Sequence, residues 1–430
     1  MQPVETIQNS LDYIEDHLKT ELSAQELAEL AGYSQFHFER LFKRLVGLPP
    51  MRYIQRRRLL HAAFEIADGE KVIDTALNYG FDTQSGFSRA FLREFGASAK
   101  AYTASHTIKR PYRIQLLQEE HILITKQTIQ GKLSNWGLQD ATIAEQVNPN
   151  TGVRLDNVWA IGRDYMLKVG TNLVGLQMHI AVSKALREAG FSVSLPVPTL
   201  DGREFVTEGE LYYYLSRKLN GTVLKTRTLF APGGEALAYQ LGQAIGRLDM
   251  ALAGFDLPVS ANDLPLQMKQ WGIPKARAIC NLDEAFYREL TSKLEHLWPQ
   301  LPKQMIHRDL NPGNVLVQGG TITGFLDFDL AERNARIYDP CYAATAILSE
   351  AFTDASFDRS LWPSLLRAIL AGSDAIVHLT EAERAAIPYI IDCIQITCIA
   401  WFSGLERYKE LAELNVKMLK WMIPALSQLD

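Results

Sequence analysis

The sequence predicts a multidomain chain in two unlike parts: an all-α region made of two tandem helix-turn-helix units, followed by a bilobal α+β region. Three observations carry this. Residues 1–105 keep an apolar spacing near 3.6, broken briefly at Gly, Pro or Ser. A short pattern within them recurs about fifty residues further on. Beyond residue 136 β-branched and aromatic runs suggest a small sheet, and after residue 230 the chain reads as mainly helical. At 430 residues, two or three domains of ordinary size are expected. With 47% apolar and 22% charged residues the composition is globular, which excludes a disordered or fibrous chain.

The first helix runs from Val4 to Leu18 and buries Ile7, Leu11, Ile14 and Leu18. Ser23, with Glu26 three residues on, reads as a capping box opening a helix that Gly32 ends. Ser34 caps a third helix, Gln35 to Val46, stopped by Gly47 and Pro49-Pro50. A long basic helix, Met51 to about Ala67, comes next. The pattern then repeats: Lys71 to Asn78, a turn at Tyr79-Gly80-Phe81, and a helix capped by Asp82 or Thr83 that reaches Phe95 and stops at Gly96. Gly32 to Phe42 aligns over Gly80 to Phe91 with one gap, an internal duplication. Two such units on one rigid helix would set two recognition helices side by side, and successive major-groove faces lie about 34 Å apart. One polypeptide could thus read adjacent grooves without dimerising.

Net charge is −5, which by itself argues against nucleic acid. Its distribution argues the other way. From Ser34 to Arg58 there are seven basic residues (Arg40, Lys43, Arg44, Arg52, Arg56, Arg57, Arg58) against Glu39 alone, and from Thr83 to Arg113 six against Glu94. Local field governs attraction to phosphate. The arrangement, above all Ala76 to Phe81 followed by Phe87-Ser88-Arg89-Ala90-Phe91 and Phe95-Gly96, resembles the DNA-binding region of AraC/XylS-type transcription regulators over about residues 5–105 of a domain expected to span 1–105. Ala99 stands where that family usually has proline. The resemblance implies double-stranded DNA as a partner. It makes Gln35, His37, Arg40 and Lys43 on the first recognition helix, and Gln84, Ser85, Ser88, Arg89 and Arg93 on the second, the DNA-facing positions. Phe38, Leu41, Phe87 and Phe91 read as core. The plainer alternative is a solvated basic face or a protein-docking pair of helices.

Residues 106–135 read as a linker with a strand candidate at Ile122–Thr125. Residues 136–219 follow as a small lobe, with strands at Ala141–Val147, Asn157–Ile161, Tyr165–Val169, Glu204–Thr207 and Leu211–Leu215 and a helix at Leu173–Ala189; residues 220–430 form a helical large lobe, with a cleft between the two. The chemical signal lies in His307-Arg308-Asp309-Leu310-Asn311-Pro312-Gly313-Asn314, an HxDxxxxN pattern, with Asp327-Phe328-Asp329 beginning thirteen residues after Asn314. Phosphoryl transfer needs a carboxylate beside the acceptor hydroxyl, and an amide oxygen with a second carboxylate to hold Mg²⁺. Asp309, Asn314 and Asp327 supply that set, with a hairpin between Val315–Val317 and Ile322–Leu326 returning Asp327 to Asn314. His307 reads as a structural hydrogen-bonding residue.

This second part resembles the aminoglycoside phosphotransferase and choline kinase-like superfamily, a branch of the protein-kinase-like fold. The resemblance implies ATP or GTP with Mg²⁺ and a small-molecule hydroxyl as acceptor. It makes Asp309 the catalytic base, Asn314 and Asp327 the metal ligands, Lys168 the strand lysine on the phosphates, and Leu215 to Leu219 the hinge beside the base. Three departures stand out. The small-lobe helix has Gln177 and His179 where a glutamate usually meets the lysine, with Glu188 near its end. The loop 148–157 has one glycine, and Arg308 replaces a more usual glycine.

Glu332, Asp339, Asp392, Trp401 and Glu406 are candidates to line a pocket for a cationic acceptor, although helical packing accounts for the aromatics equally well. Four scattered cysteines, Cys280, Cys341, Cys393 and Cys398, read as core thiols in a reducing compartment. The first residues lack the pattern of a signal peptide, so the cytoplasm is the expected location. The apolar run Ala385–Leu405 carries Pro388 and Asp392, and a carboxylate at a membrane centre costs about 3 kcal/mol, so a buried helix is expected and no membrane. Two functions remain open: a bifunctional DNA-binding regulator and small-molecule kinase, or a regulator whose kinase-like part is an inactive nucleotide or ligand sensor.

Overall fold

The computed structural model describes residues 3–116, 124–152, 154–255, 257 and 259–426. The chain divides into two compact units, Met1–Gly162 with Leu405–Arg407, and Arg163–Gly404 with Tyr408–Asp430.

The first unit opens with α1 (Pro3–Asp16), α2 (Ala24–Leu30), α3 (Gln35–Val46), α4 (Pro50–Ala67), α5 (Val72–Asn78), α6 (Gln84–Phe95) and α7 (Ala99–Ser105). The duplication is visible bond for bond. Gly32 and Gly80 take φ of 71° and 75°, a region that favours glycine, so the chain can turn sharply out of α2 and α5. Tyr33 N–H then reaches Ala28 O at 2.9 Å, and Phe81 N–H reaches Ala76 O at 3.1 Å. Thr83 caps α6 through Gly86 N–H, whereas Ser34 stands at the start of α3 without a side-chain bond. The expected capping box is half formed. Ser23 accepts from Glu26 N–H, but the Glu26 carboxylate turns to the Tyr13 hydroxyl. Phe38, Phe42, Tyr53, Phe87 and Phe91 are fully buried and form the shared core.

The basic count along α4 needs correction. Arg57 is buried and forks onto Glu15, Nε to Oε1 at 2.5 Å and Nη2 to Oε2 at 2.9 Å. Arg56 is buried against Glu94, and Arg58 donates to the carbonyls of Leu18 and Thr20. These arginines hold helices together, so the outward charge of the region falls to Arg40, Lys43, Arg44 and Arg52.

Nor do residues 108–116 form a free spacer. Ile114 is buried in the helical core, Gln8 Nε2 donates to its carbonyl at 2.9 Å, and Leu116 N–H returns a bond to Gln8 Oε1 at 2.7 Å. Of the strand candidate at 122–125, residues 122 and 123 lie outside the described ones, and Thr125 is the cap of α8 (Lys126–Leu133). The antiparallel pair β1 (Ile143–Val147) and β2 (Arg154–Ile161) completes the unit.

In the second unit β3 (Tyr165–Gly170) is followed by α9 (Leu173–Glu188), then β4 (Val206–Glu208) and β5 (Leu211–Arg217). Strand β5 pairs antiparallel with both β3 and β4, placing Lys168 opposite Tyr214. After β6 (Thr222–Val223) come α10 (Thr226–Leu229), α11 (Gly234–Ala253), α12 (Leu264–Gln267), α13 (Ile273–Cys280) and α14 (Glu284–Leu297). Then follow β7 (Lys303–Ile306), β8 (Val315–Gln318), β9 (Thr321–Phe325), β10 (Glu332–Ala335), α15 (Tyr338–Ala351), α16 (Trp362–Val377), α17 (Glu381–Phe402) and α18 (Lys409–Leu426). Helices α11 and α16 touch backbone to backbone. A Cβ on Gly242 would meet Ile369 O at 1.9 Å, and one on Gly372 would meet Tyr239 O at 2.0 Å. Helix α17 has the length and composition of a membrane span, yet Ile390, Ile391, Ile394, Ile396 and Ile399 are buried in the core of this unit. Cys280, Cys341 and Cys393 are core thiols, while Cys398 is only half-buried.

Candidate active site and DNA-facing helices

The loop from β7 to β8 and the turn after β9 bring the motif residues together. Antiparallel pairing of Val315 with Phe325 sets the two strands in register, and Leu326 N–H donates to Asn314 O at 2.9 Å. His307 is buried. Its Nδ1 accepts from Asp309 N–H at 3.3 Å, which leaves Nε2 to carry the proton and donate to Leu326 O at 2.8 Å. Both ring nitrogens are thus committed to backbone.

Asp309 is held by three side-chain donors. Oδ1 accepts from Asn311 Nδ2 at 3.0 Å and from the Tyr342 hydroxyl at 2.8 Å, and Oδ2 accepts from Asn314 Nδ2 at 3.0 Å. Asn314 Nδ2 also reaches Asp309 O at 2.9 Å. With its amide nitrogen spent on two acceptors, Asn314 presents Oδ1 elsewhere, as an oxygen suited to a hard cation.

Lys168 Nζ lies 2.6 and 2.7 Å from the two oxygens of Asp327 and 3.0 Å from Asp329 Oδ2. Burial alone would lower the lysine, but the two aspartates outweigh it and its pKa is raised. Burial would likewise raise Asp327, yet Lys168 holds it below the usual carboxylate range. Asp329 rises, through burial and the neighbouring Asp327. Asp327 takes φ of 64° and Arg308 φ of 72°, a strained backbone for side-chain-bearing residues on either side of Asp309 in the chain.

Asp339, at the start of α15, takes both backbone donors of the loop: Oδ2 accepts from His307 N–H and Oδ1 from Arg308 N–H, each at 2.8 Å. Burial pushes it up to about 6 against those bonds. Neither Asp339 nor Tyr342 stood out as a site-ordering residue in the sequence, because both act from an apolar helix more than thirty positions on.

A profile of the phosphotransferase enzyme family matches residues 150–385, over half of the chain. The chain belongs to the phosphotransferase enzyme family. A helix-turn-helix domain profile, of AraC type, matches residues 27–105. Over 102 residues, 24% of this chain, it is 39% identical to the HTH-type transcriptional activator AarP of Providencia stuartii and spans 76% of that protein. It is 34% identical over 126 residues, 28% of this chain, to the right origin-binding protein of Escherichia coli K12, of which it spans only 44%. Among solved structures, a microcompartment-associated aminopropanol kinase overlays with a TM-score of 0.51 at 17% identity, covering 68% of this chain and 94% of that one, which is a likeness of fold.

In this member of the family the helix α9 meets the site differently from expectation. Gln177 and Glu188 point to solvent. His179 is buried, its Nδ1 accepts from Phe328 N–H at 3.2 Å, and burial lowers its pKa to about 4, so it is neutral. Among the described residues no acidic group of α9 reaches Lys168, and Asp329 stands in that place. Leu215 is buried inside β5 with its carbonyl taken by Val197 N–H at 2.8 Å, whereas Leu219 lies half-buried in the loop beyond. Residue 153 of the loop 148–157 lies outside the described ones.

On the helix-turn-helix side, Gln35, His37, Arg40 and Lys43 of α3 and Gln84, Ser85, Ser88, Arg89 and Arg93 of α6 are exposed, and Phe38, Leu41, Phe87 and Phe91 are buried. Phe36, 78% exposed at the start of α3, escaped the sequence reading, since an aromatic beside Phe38 reads as core.

Proposed function

We propose that this protein binds double-stranded DNA through α3 and α6 and transfers the γ-phosphoryl group of ATP or GTP to a hydroxyl of a small molecule, with Mg²⁺. The observation that carries the catalytic half is that Asn314 bonds Asp309, Lys168 bonds Asp327, and the bond from Leu326 N–H to Asn314 O ties the segments bearing the two pairs together. Asn314 Oδ1 and the Asp327 carboxylate are oxygen donors of the kind Mg²⁺ takes, and would hold it. When bound, that ion neutralises phosphate charge and orients the nucleotide. Asp309 accepts the proton of the acceptor hydroxyl as its oxygen forms the new P–O bond and the nucleoside diphosphate leaves. Asn311, Asn314 and Tyr342 fix the carboxylate for that task, and Lys168, still anchored by Asp329, meets the phosphates. His307 and Asp339 shape the loop and take no part in that proton transfer.

The DNA half is supported by two exposed recognition helices built on the same turn. The alternative, a nucleotide sensor without turnover, draws support from the Lys168 ammonium lying across both aspartates. One experiment separates them. Asp309→Asn should bind nucleotide as the native protein does and abolish transfer; absence of transfer from the native protein to any hydroxyl acceptor, with nucleotide bound, would leave the sensor.

A further inference from the structure

Arg308 occupies the position next to Asp309 at a backbone angle, φ 72°, that glycine adopts without strain. Its side chain, about a third exposed, has five N–H donors, and among the described residues none makes a hydrogen bond. Its ion pair runs from Nη1 to Glu332 Oε2 at 3.4 Å, longer than a hydrogen bond. Glu332 does not depend on it. Glu332 Oε1 already accepts from Asn262 Nδ2 at 3.0 Å and from Asn334 Nδ2 at 2.8 Å, and the side chain is buried.

Arg308 and Asp309 are neighbours in the loop and both are held by α15: Arg308 N–H donates to Asp339 Oδ1 and the Tyr342 hydroxyl donates to Asp309 Oδ1, each at 2.8 Å. Tyr342 is itself stacked on Tyr338, with ring centroids 6.0 Å apart. Two of the carboxylates the sequence offers to a cationic acceptor, Asp339 and Glu332, are spent. Asp339 is used up by two backbone N–H groups, and Glu332 by two amides and the arginine.

We propose that Arg308 is an anion-binding subsite beside Asp309, so that the acceptor carries a carboxylate or phosphate group near its reactive hydroxyl. The proposal rests on the phosphotransferase reading above and names its substrate class. A guanidinium fork pairs with either anion through two parallel bonds, which a lone contact to Glu332 does not use. Holding the acceptor by its charge also aims the neighbouring hydroxyl at Asp309.

The test uses the full chain saturated with Mg²⁺ and a non-hydrolysable ATP analogue, so that the nucleotide site cannot take the probes. Thermal shift and calorimetry compare matched sets: glucuronate and glucose 6-phosphate, glucose, and glucosamine; then glycerate and glycerol phosphate, glycerol, and serinol. Anionic members should bind at least about tenfold more tightly than their neutral partners, the carboxylate and phosphate arms showing which anion is preferred. Arg308→Gln should erase that preference, and Arg308→Lys should retain part of it. Arg308→Gly, freed of the backbone strain, should melt no lower than the native protein while losing the anions. Equal or tighter binding of the amines, no Arg308-dependent binding of any anionic probe, or equal loss of neutral and anionic ligands in Arg308→Gln overturns the proposal. Arg308-dependent anion binding without phosphoryl transfer would instead count against the phosphotransferase reading alone.

Discussion

Lys168 and Asp329 form an ion pair of 3.0 Å across 161 positions of sequence, and it occupies the place where helix α9 offers only the neutral His179. Asp327 shares the same ammonium, so the lysine stands between a carboxylate suited to a cation and one that anchors it. An ion at Asp327 and a lysine at the phosphates are compatible only if the second anchor persists.

Asp329→Asn should therefore weaken nucleotide binding by about tenfold, or about 1.4 kcal/mol, and Lys168→Ala by more. Fluorescent-nucleotide titration measures both. An Asp329→Asn affinity equal to the native one would remove Asp329 from the role given to it.

The fold was legible where periodicity decides it. The helices of both turn units and the strands β3, β5, β8 and β9 follow apolar spacing and glycine stops, and the catalytic loop follows motif spacing. What escaped depends on partners far away in sequence. A run of arginines at 56–58 reads alike whether solvated or paired, and only the packing of α1 and α6 against α4 consigns Arg57 to Glu15 and Arg56 to Glu94. Asp329 looked like motif context until the turn after β9 carried it to β3. Tyr342 carried no signal at all, because a tyrosine on a buried helix most often serves the core.

The Glu15–Arg57 pair makes the helix-turn-helix unit sensitive to acid. Burial would raise Glu15, but His61 and Arg57 outweigh it and hold the carboxyl down at about 2, from an ordinary 4.5. A folded-state pKa below the unfolded one stabilises above the unfolded value. The contribution, roughly 3 kcal/mol, should be complete above about pH 5 and decline as the pH falls from about 4.5 to 2. Glu15→Gln should cost a similar amount at neutral pH and flatten that part of the profile, as read by urea unfolding followed through the helical signal. An unchanged acid profile in Glu15→Gln would place the titration elsewhere.

Exposed and buried arginines should separate cleanly in DNA binding. Arg40→Ala and Arg89→Ala should each weaken binding by about 1–3 kcal/mol if they reach a base, or lower the salt slope by about one if they reach a phosphate, with the melting point unmoved. Arg57→Ala should instead destabilise the fold by about 3–5 kcal/mol, leaving Glu15 buried and unpaired. Filter binding across a salt series, with melting curves, distinguishes the two groups; native affinity in Arg40→Ala and Arg89→Ala would move the DNA face off α3 and α6.

Tyr342 offers the sharpest check on how Asp309 is held. Its hydroxyl donates to Oδ1 at 2.8 Å while Asn311 donates to the same oxygen and Asn314 to the other, so the carboxylate plane is fixed from three sides. Tyr342→Phe removes one of these without opening a cavity. Asn311 and Asn314 keep the carboxylate in the site, but its rotation about the Cβ–Cγ bond is less restrained, and a misaimed base is costly only when the proton moves. The expected result is a fall in kcat of about tenfold, near 1.4 kcal/mol, with nucleotide KM unchanged. A rise in nucleotide KM at constant kcat would show instead that the tyrosine supports the nucleotide and not the base.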